Sequence, residues 1–286
     1  MIKAYTMLTK PGILLGNVVT TAAGFFLASR GQFDAALFCA VIAGLGLIIA
    51  SACVFNNYID RSADAKMART KNRALVKGTI SPKSALVFGL VLGALGVAVL
   101  GYYTNLLATL IAALGFFFYV VMYSICKYRS THGTLVGSIA GAVPPVVGYT
   151  AVSHSLDLGA GLLFAILVLW QMPHFYAIAT YRLPEYAAAS IPVLPVTRGI
   201  PATKVQILLY TIAFLIAALL LPFYGYTGSA YSMVAISLGL AWLGLCLQGF
   251  RTQNDARWAR RMFRFSLVVI LGLSILMAVD TNKIYS

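Results

Sequence analysis

Asn56, Asp60 and Asp64 recur every four residues at the polar end of a long apolar run. At ~100° per residue, that spacing holds them within about 80° of one helical face. Two carboxylates and an amide cannot neutralise one another, and ionisable groups near a bilayer are costly unless a cation sits among them. Oxygen-only ligands favour a hard ion such as Mg2+, which readily shares its shell with phosphate oxygens. Lys66, Arg69, Lys71, Arg73 and Lys77 follow at once, cations suited to the phosphates such a metal would bridge. Within 56–83, stripe and basic loop together point to a diphosphate site. A solvated connector between membrane helices accounts for the lysines and arginines, but not for the stripe.

Three other stretches carry polar groups worth placing. Lys127 and Arg129 end an apolar run, where they suit a helix C-terminus or a phosphate. Gly133, Gly137 and Gly141 then form a small-residue face that lets helices approach closely, and Pro144-Pro145 is expected to break that helix in mid-membrane. Gln171 and His174 flank Pro173 inside another apolar run; an amide, an imidazole and a kink in one turn point to a cavity wall. Arg182 and Glu185 follow in a connector, a further cation and a carboxylate able to close a metal site from the other side. The basic, aromatic stretch 248–265 reads as a membrane-surface anchor.

The elements that position these groups follow from composition. Of 286 residues, 60% are hydrophobic and only 10% charged, which defines an integral membrane protein. Apolar runs at 12–28, 35–57, 85–103, 106–125, 134–152, 159–181, 204–224, 230–250 and 262–280 predict nine spans, the first retained rather than cleaved. With the N-terminus in the cytoplasm and the C-terminus outside, all 21 Lys and Arg except Arg30 and Lys283 face the cytoplasm. Topology therefore explains the net charge of +14, and no nucleic-acid partner is needed. Cys39, Cys53, Cys126 and Cys246 lie apart in apolar runs and read as small core residues, with no disulfide or zinc spacing.

Taken together, the chain resembles the UbiA-type intramembrane prenyltransferases, and most closely their heme-farnesylating branch. The residues that carry the resemblance are LTKPGI at 8–13, NNYIDRSADAKMARTKNRAL at 56–75, GSIAGAVPPVVGY at 137–149, WQMPHF at 170–175 and EYAAASIPVLPV at 185–196. The resemblance implies a single all-α transmembrane domain over 1–286, its nine helices bundled around a lateral cavity facing the cytoplasm. It implies farnesyl diphosphate and heme b as substrates, heme O as product and Mg2+ as cofactor. Asn56, Asp60, Asp64 and Glu185 would hold the metal, with Lys66, Arg69, Arg73, Lys127 and Arg182 around the diphosphate. Gln171, His174 and Tyr149 would lie on the heme side. Where the wider family has a second aspartate-rich motif, this chain has Glu185-Tyr186. The implied setting is the bacterial inner membrane and its lipid bilayer, with handover of product to a heme A synthase or a terminal oxidase.

Two rival classes fit parts of the pattern. A sibling enzyme would prenylate an aromatic or quinone precursor. A transporter also uses interrupted helices and intramembrane polar groups, but it should carry a related pair near midplane, whereas the acids here gather at one face. A purely structural subunit has no need of Asn56, Asp60 and Asp64.

Overall fold

The computed structural model describes residues 1–281; Lys283, expected on the outer side, lies outside them. The regular structure of the described chain is helical apart from a lone antiparallel bridge between Thr227 and Thr281. In order it forms α1 (Ile2–Leu8), α2 (Pro11–Ser29), α3 (Ala35–Asp64), α4 (Pro82–Tyr103), α5 (Leu106–Phe117), a π-helical turn (Phe118–Tyr123) and α6 (Ser124–Arg129). Then come α7 (Gly133–Ser153), α8 (Leu158–Tyr181), the short α9 (Leu183–Ala188) and α10 (Leu194–Thr197), α11 (Gly199–Phe223), α12 (Ser229–Gln248), a 3-10 turn (Gly249–Arg251) and α13 (Asp255–Val279). Among the described residues nine helical spans are long and apolar enough to cross a membrane, with α5, the π turn and α6 acting as one.

Side-chain caps fix where several spans begin. Asp34, Ser81, Asn105, Asp157 and Asn254 each accept a backbone N–H three residues on, occupying one of the donors that a helix N-terminus leaves free. The span beginning at Ala35 runs seven residues past its predicted end. Its 30 residues give a rod of roughly 45 Å, against a hydrocarbon core of about 30 Å, so the last turns reach the membrane boundary carrying the polar stripe.

The two largest buried apolar clusters of the bundle share α2 and α7. One gathers Phe25, Leu45, Ile48, Leu100 and Val147 from α2, α3, α4 and α7, and the other gathers Leu163, Ile166, Phe214, Trp242 and Met262 from α8, α11, α12 and α13. Between α2 and α7 the backbones touch. A Cβ added at Gly24 would overlap the Pro145 carbonyl oxygen, and one at Gly148 that of Thr21. Here small residues allow close approach in a medium where apolar burial alone drives little association.

Two expectations are corrected. Neither Pro144-Pro145 nor Pro173 breaks its helix; α7 and α8 run through them, each proline removing only its own N–H from the ladder while buried packing holds the course. The irregular backbone falls instead at Phe118–Tyr123, which contains no proline. Of the cysteines, Cys53 and Cys246 are buried, but Cys39 is exposed on the outer face of α3, where an apolar thiol needs no core.

Candidate active site

The stripe at the end of α3 is buried: Asp60 and Asp64 are 3% and 4% exposed, and Asn56 is 2%. Such carboxylates require partners, and each has a cation from a different element. Lys127 Nζ lies 2.6 Å from Asp60 Oδ2, and the Tyr128 hydroxyl donates to Oδ1 at 2.6 Å. Arg73 Nη1 donates to Asp64 Oδ2 at 2.6 Å. Asn56 Oδ1 accepts from Lys10 Nζ at 2.5 Å and from the Tyr119 hydroxyl at 3.4 Å, while its Nδ2 is buried without a partner.

Local structure delivers each of these groups. Lys10 sits between α1 and α2 in the left-handed region (φ 52°), and Pro11 disfavours a right-handed helix running through it from α1. Asn57 Nδ2 donates to the Leu8 carbonyl at 2.8 Å and ties this hinge to α3. Enclosed there, the Lys10 ammonium is pulled down to about 8 by burial. The π turn brings Tyr119 and Tyr123 into a stacked pair, centroids 5.6 Å apart, whose second ring covers Gly137. Gly133 lets the chain double back against the Lys127 backbone. The glycine face of α7 is thus used residue by residue, with Gly141 making room for Gln171.

The two basic connectors meet. Glu185 Oε1 accepts from Arg182 Nη1 at 3.0 Å, and Arg69 Nε lies 3.9 Å from Oε2. Beneath them Met67 packs with Ala189 and Ile191, joined by Tyr128 and Tyr186; burial pushes the Tyr186 phenol up. Lys66 is exposed and, among the described residues, pairs with no carboxylate. A cleft of about 820 Å³ opens between α1, the start of α2 and the 65–81 loop, with Lys10, Arg69 and Arg73 on its walls.

On α8, both N–H donors of Gln171 Nε2 are spent, on the Ser138 and Leu167 carbonyls, each at 3.0 Å. His174 Nδ1 lies 2.7 Å from Ser266 Oγ, and its ring is packed by Trp170, Phe175 and Phe263. Tyr149 is apart from both groups, near the other end of α7, where its hydroxyl donates to Asp157 Oδ2 at 3.0 Å. Among the described residues no three His, Cys, Asp or Glu side chains stand ready around one point. The donor set still suits a hard cation, since two buried carboxylates and an amide oxygen share the end of α3, each paired with a cation that a metal with its phosphate could replace.

The model of the UbiA prenyltransferase family matches residues 17–268. The chain belongs to the UbiA prenyltransferase family. A protoheme IX farnesyltransferase from Protochlamydia amoebophila (strain UWE25) is 57% identical over 280 residues, 98% of this chain and 99% of the relative. In fold, a digeranylgeranylglyceryl phosphate synthase superposes with a TM-score of 0.82 at 16% identity, covering 98% of each chain. A UbiA homologue from Archaeoglobus fulgidus bound to GPP and Mg2+ superposes with a TM-score of 0.71 at 14% identity, covering 96% of this chain and 99% of its own.

As a UbiA-family protein this is a multi-pass membrane enzyme, a prenyltransferase rather than a transporter. Three groups at its stripe went unassigned in the sequence. Lys10 read only as a topological cation, Tyr123 as part of an apolar run, and Tyr128, between Lys127 and Arg129, was given no role. The spacing of Tyr119 and Tyr123 matches that of Asn56, Asp60 and Asp64, a signal that one helix face was polar.

Proposed function

We propose that this enzyme transfers the farnesyl group of farnesyl diphosphate to a vinyl group of heme b, giving heme O and diphosphate. The observation that carries the substrate assignment is the 57% identity, end to end, to a protoheme IX farnesyltransferase. It favours heme over an aromatic or quinone precursor. The site supports the chemistry: a buried acidic stripe ringed by Lys10, Arg73 and Lys127, with Arg69 and Arg182 on the connectors above.

Asn56, Asp60 and Asp64 would hold Mg2+, with Glu185 a further ligand from the facing connector. When bound, the metal would withdraw charge from the diphosphate as the allylic carbon–oxygen bond breaks. The chain's own groups do the rest. Lys127 and Arg73, released from the carboxylates, take up phosphate oxygens, and Lys10, Lys66, Arg69 and Arg182 add further donors. The unpartnered Asn56 Nδ2 is a donor awaiting an acceptor. The stacked pair of Tyr119 and Tyr123, whose first hydroxyl reaches Asn56, would favour an allylic cation there and exclude water. The heme vinyl group is the nucleophile, and one water captures the resulting cation, releasing a proton and leaving a hydroxyethylfarnesyl substituent.

On the acceptor side we place Gln171 and His174 beside the macrocycle in a lateral cavity, with Tyr149 as a wall residue only, its hydroxyl being committed to Asp157. The whole chain acts as one domain in a bacterial inner membrane, N-terminus inside and C-terminus outside, and passes its product to a heme A synthase or terminal oxidase. Purified enzyme given Mg2+, farnesyl diphosphate and heme b should yield a product whose mass is that of heme b plus one farnesyl and one hydroxyl group. Absence of that mass, with prenylation of a phenolic acid instead, would reassign the acceptor.

A further inference from the structure

We infer that Arg251, Arg257 and Arg261 form a binding site for the phosphate headgroup of an anionic phospholipid, at the end of the α12–α13 hairpin. These residues, with Gln248, Asn254 and Trp258, line a concavity of about 220 Å³. A positively charged membrane flank accounts for having arginines here, but not for their convergence on one hollow.

The hollow is built. Gly249 begins the turn that carries Arg251, and it lies so close to Trp258 that an added Cβ would stand 2.5 Å from the indole. Trp258 is buried and donates Nε1–H to the Leu245 carbonyl at 2.9 Å, so the floor is fixed. Arg257 and Arg261, four residues apart, share one face of the first two turns of α13. Asn254 caps that helix through the Arg257 N–H, and the positive end of a 25-residue helix adds to the same field.

Asp255, the nearest carboxylate in sequence, is paired with Lys204 at 2.6 Å, and among the described residues none of the three arginines is in an ion pair. Like charges gathered around one hollow repel unless an anion joins them, and guanidinium forks match phosphate oxygens in pairs.

The surroundings choose a lipid over a free anion. Leu247 and Phe250 beside the hollow are 56% and 47% exposed, and Leu240, Val268 and Leu271 continue an exposed apolar path down α12 and α13. An occupant with an anionic head and apolar tails meets both surfaces, as basic pockets at membrane helix ends do for acidic lipids. The site is separate from the stripe, because α3 packs on α2, α4, α5 and α7, whereas α12 packs on α11 and α13.

Native mass spectrometry of the full-length protein, released from nanodiscs of phosphatidylcholine doped with phosphatidylglycerol, tests the assignment. Wild type should retain phosphatidylglycerol over phosphatidylcholine. The triple variant Arg251→Gln, Arg257→Gln, Arg261→Gln should lose that preference by roughly tenfold or more, since each cation near the surface contributes a few-fold. Arg264→Gln, outside the hollow, should keep it. An unchanged thermal transition of the triple variant in pure phosphatidylcholine shows that it folds. Equal retention of both lipids by wild type, or wild-type retention by the triple variant, overturns the site. Displacement of the bound lipid by millimolar inorganic phosphate would also overturn it, since a free anion would then suffice.

Discussion

Lys127 Nζ stands 2.6 Å from Asp60 Oδ2, and the neighbouring Tyr128 hydroxyl holds the other carboxylate oxygen, so a principal metal ligand of the proposed reaction is already neutralised. Arg73 does the same for Asp64. A metal entering alone must expel a buried cation and leave it unpaired, whereas a metal entering with diphosphate gives that cation a new anion. Mg2+ should therefore bind at least tenfold more tightly with a thiodiphosphate analogue of farnesyl diphosphate present, a coupling of about 1.4 kcal/mol. Calorimetric titration of Mg2+ with and without the analogue measures it; equal affinities would refute the exchange.

Removing either carboxylate should end turnover. Asp60→Ala or Asp64→Ala is expected to lower kcat by 10² or more, because charge stabilisation at the leaving group disappears while the apolar length of α3 that precedes the stripe is unchanged. Activity at wild-type level, with membrane protein matched, would remove the stripe from the mechanism.

Lys10 offers a sharper test of the charge around the diphosphate. Lys10→Met should raise KM for farnesyl diphosphate by about tenfold or more, and Lys10→Arg should restore most of it, since a charged donor to phosphate contributes roughly 1.5–3 kcal/mol. The heme KM should stay put in both. A loss shared equally between the two substrates would mean that Lys10 only anchors the α1–α2 hinge through Asn56.

Much of this was legible in the sequence because the membrane enforces it. Long apolar runs must be helices, and caps such as Asp34, Asn105 and Asp157 mark their starts. The stripe was legible because Asn56, Asp60 and Asp64 share one helix. Lys10 was not, since its reach depends on a left-handed backbone between α1 and α2 that no periodicity encodes. The prolines misled for a related reason: Pro144 and Pro145 remove hydrogen bonds locally, but the contact of α7 with Gly24 and Thr21 decides the helix course.

That contact can be probed without reference to catalysis. Gly24→Ala or Gly148→Ala drives a methyl group into a backbone carbonyl of the partner helix, so neither side chain nor rotamer can yield. Each should destabilise the protein by about 1–3 kcal/mol, read as a lower thermal transition in detergent, while Gly161→Ala, with open space around it, should be silent. Wild-type transitions in both variants would show that α2 and α7 separate freely.

The proposed orientation makes a topological prediction. A reporter inserted at Asn72 should face the cytoplasm and one fused after Ser286 the outside, because that orientation puts the basic connectors on one side of the nine spans found among the described residues. Two reporters on the same side would refute it.

The acceptor side turns on Ser266. Its hydroxyl donates to the Phe263 carbonyl at 2.6 Å, which commits its only proton, so toward His174 at 2.7 Å the oxygen can only accept. With the Ser266 proton on that carbonyl, Nδ1 of His174 carries the imidazole proton, and on the proposed acceptor role Nε2 would offer its lone pair to the heme iron. His174→Ala should weaken heme use by about tenfold while leaving the farnesyl diphosphate KM unchanged, and it should abolish a Soret shift seen when heme b is titrated into wild type. Ser266→Ala, which frees the ring to change tautomer, should reduce that shift without removing it. If His174 only packs α8 against α13, both variants will lose folded yield alone, with the heme dependence and spectrum of the surviving protein intact.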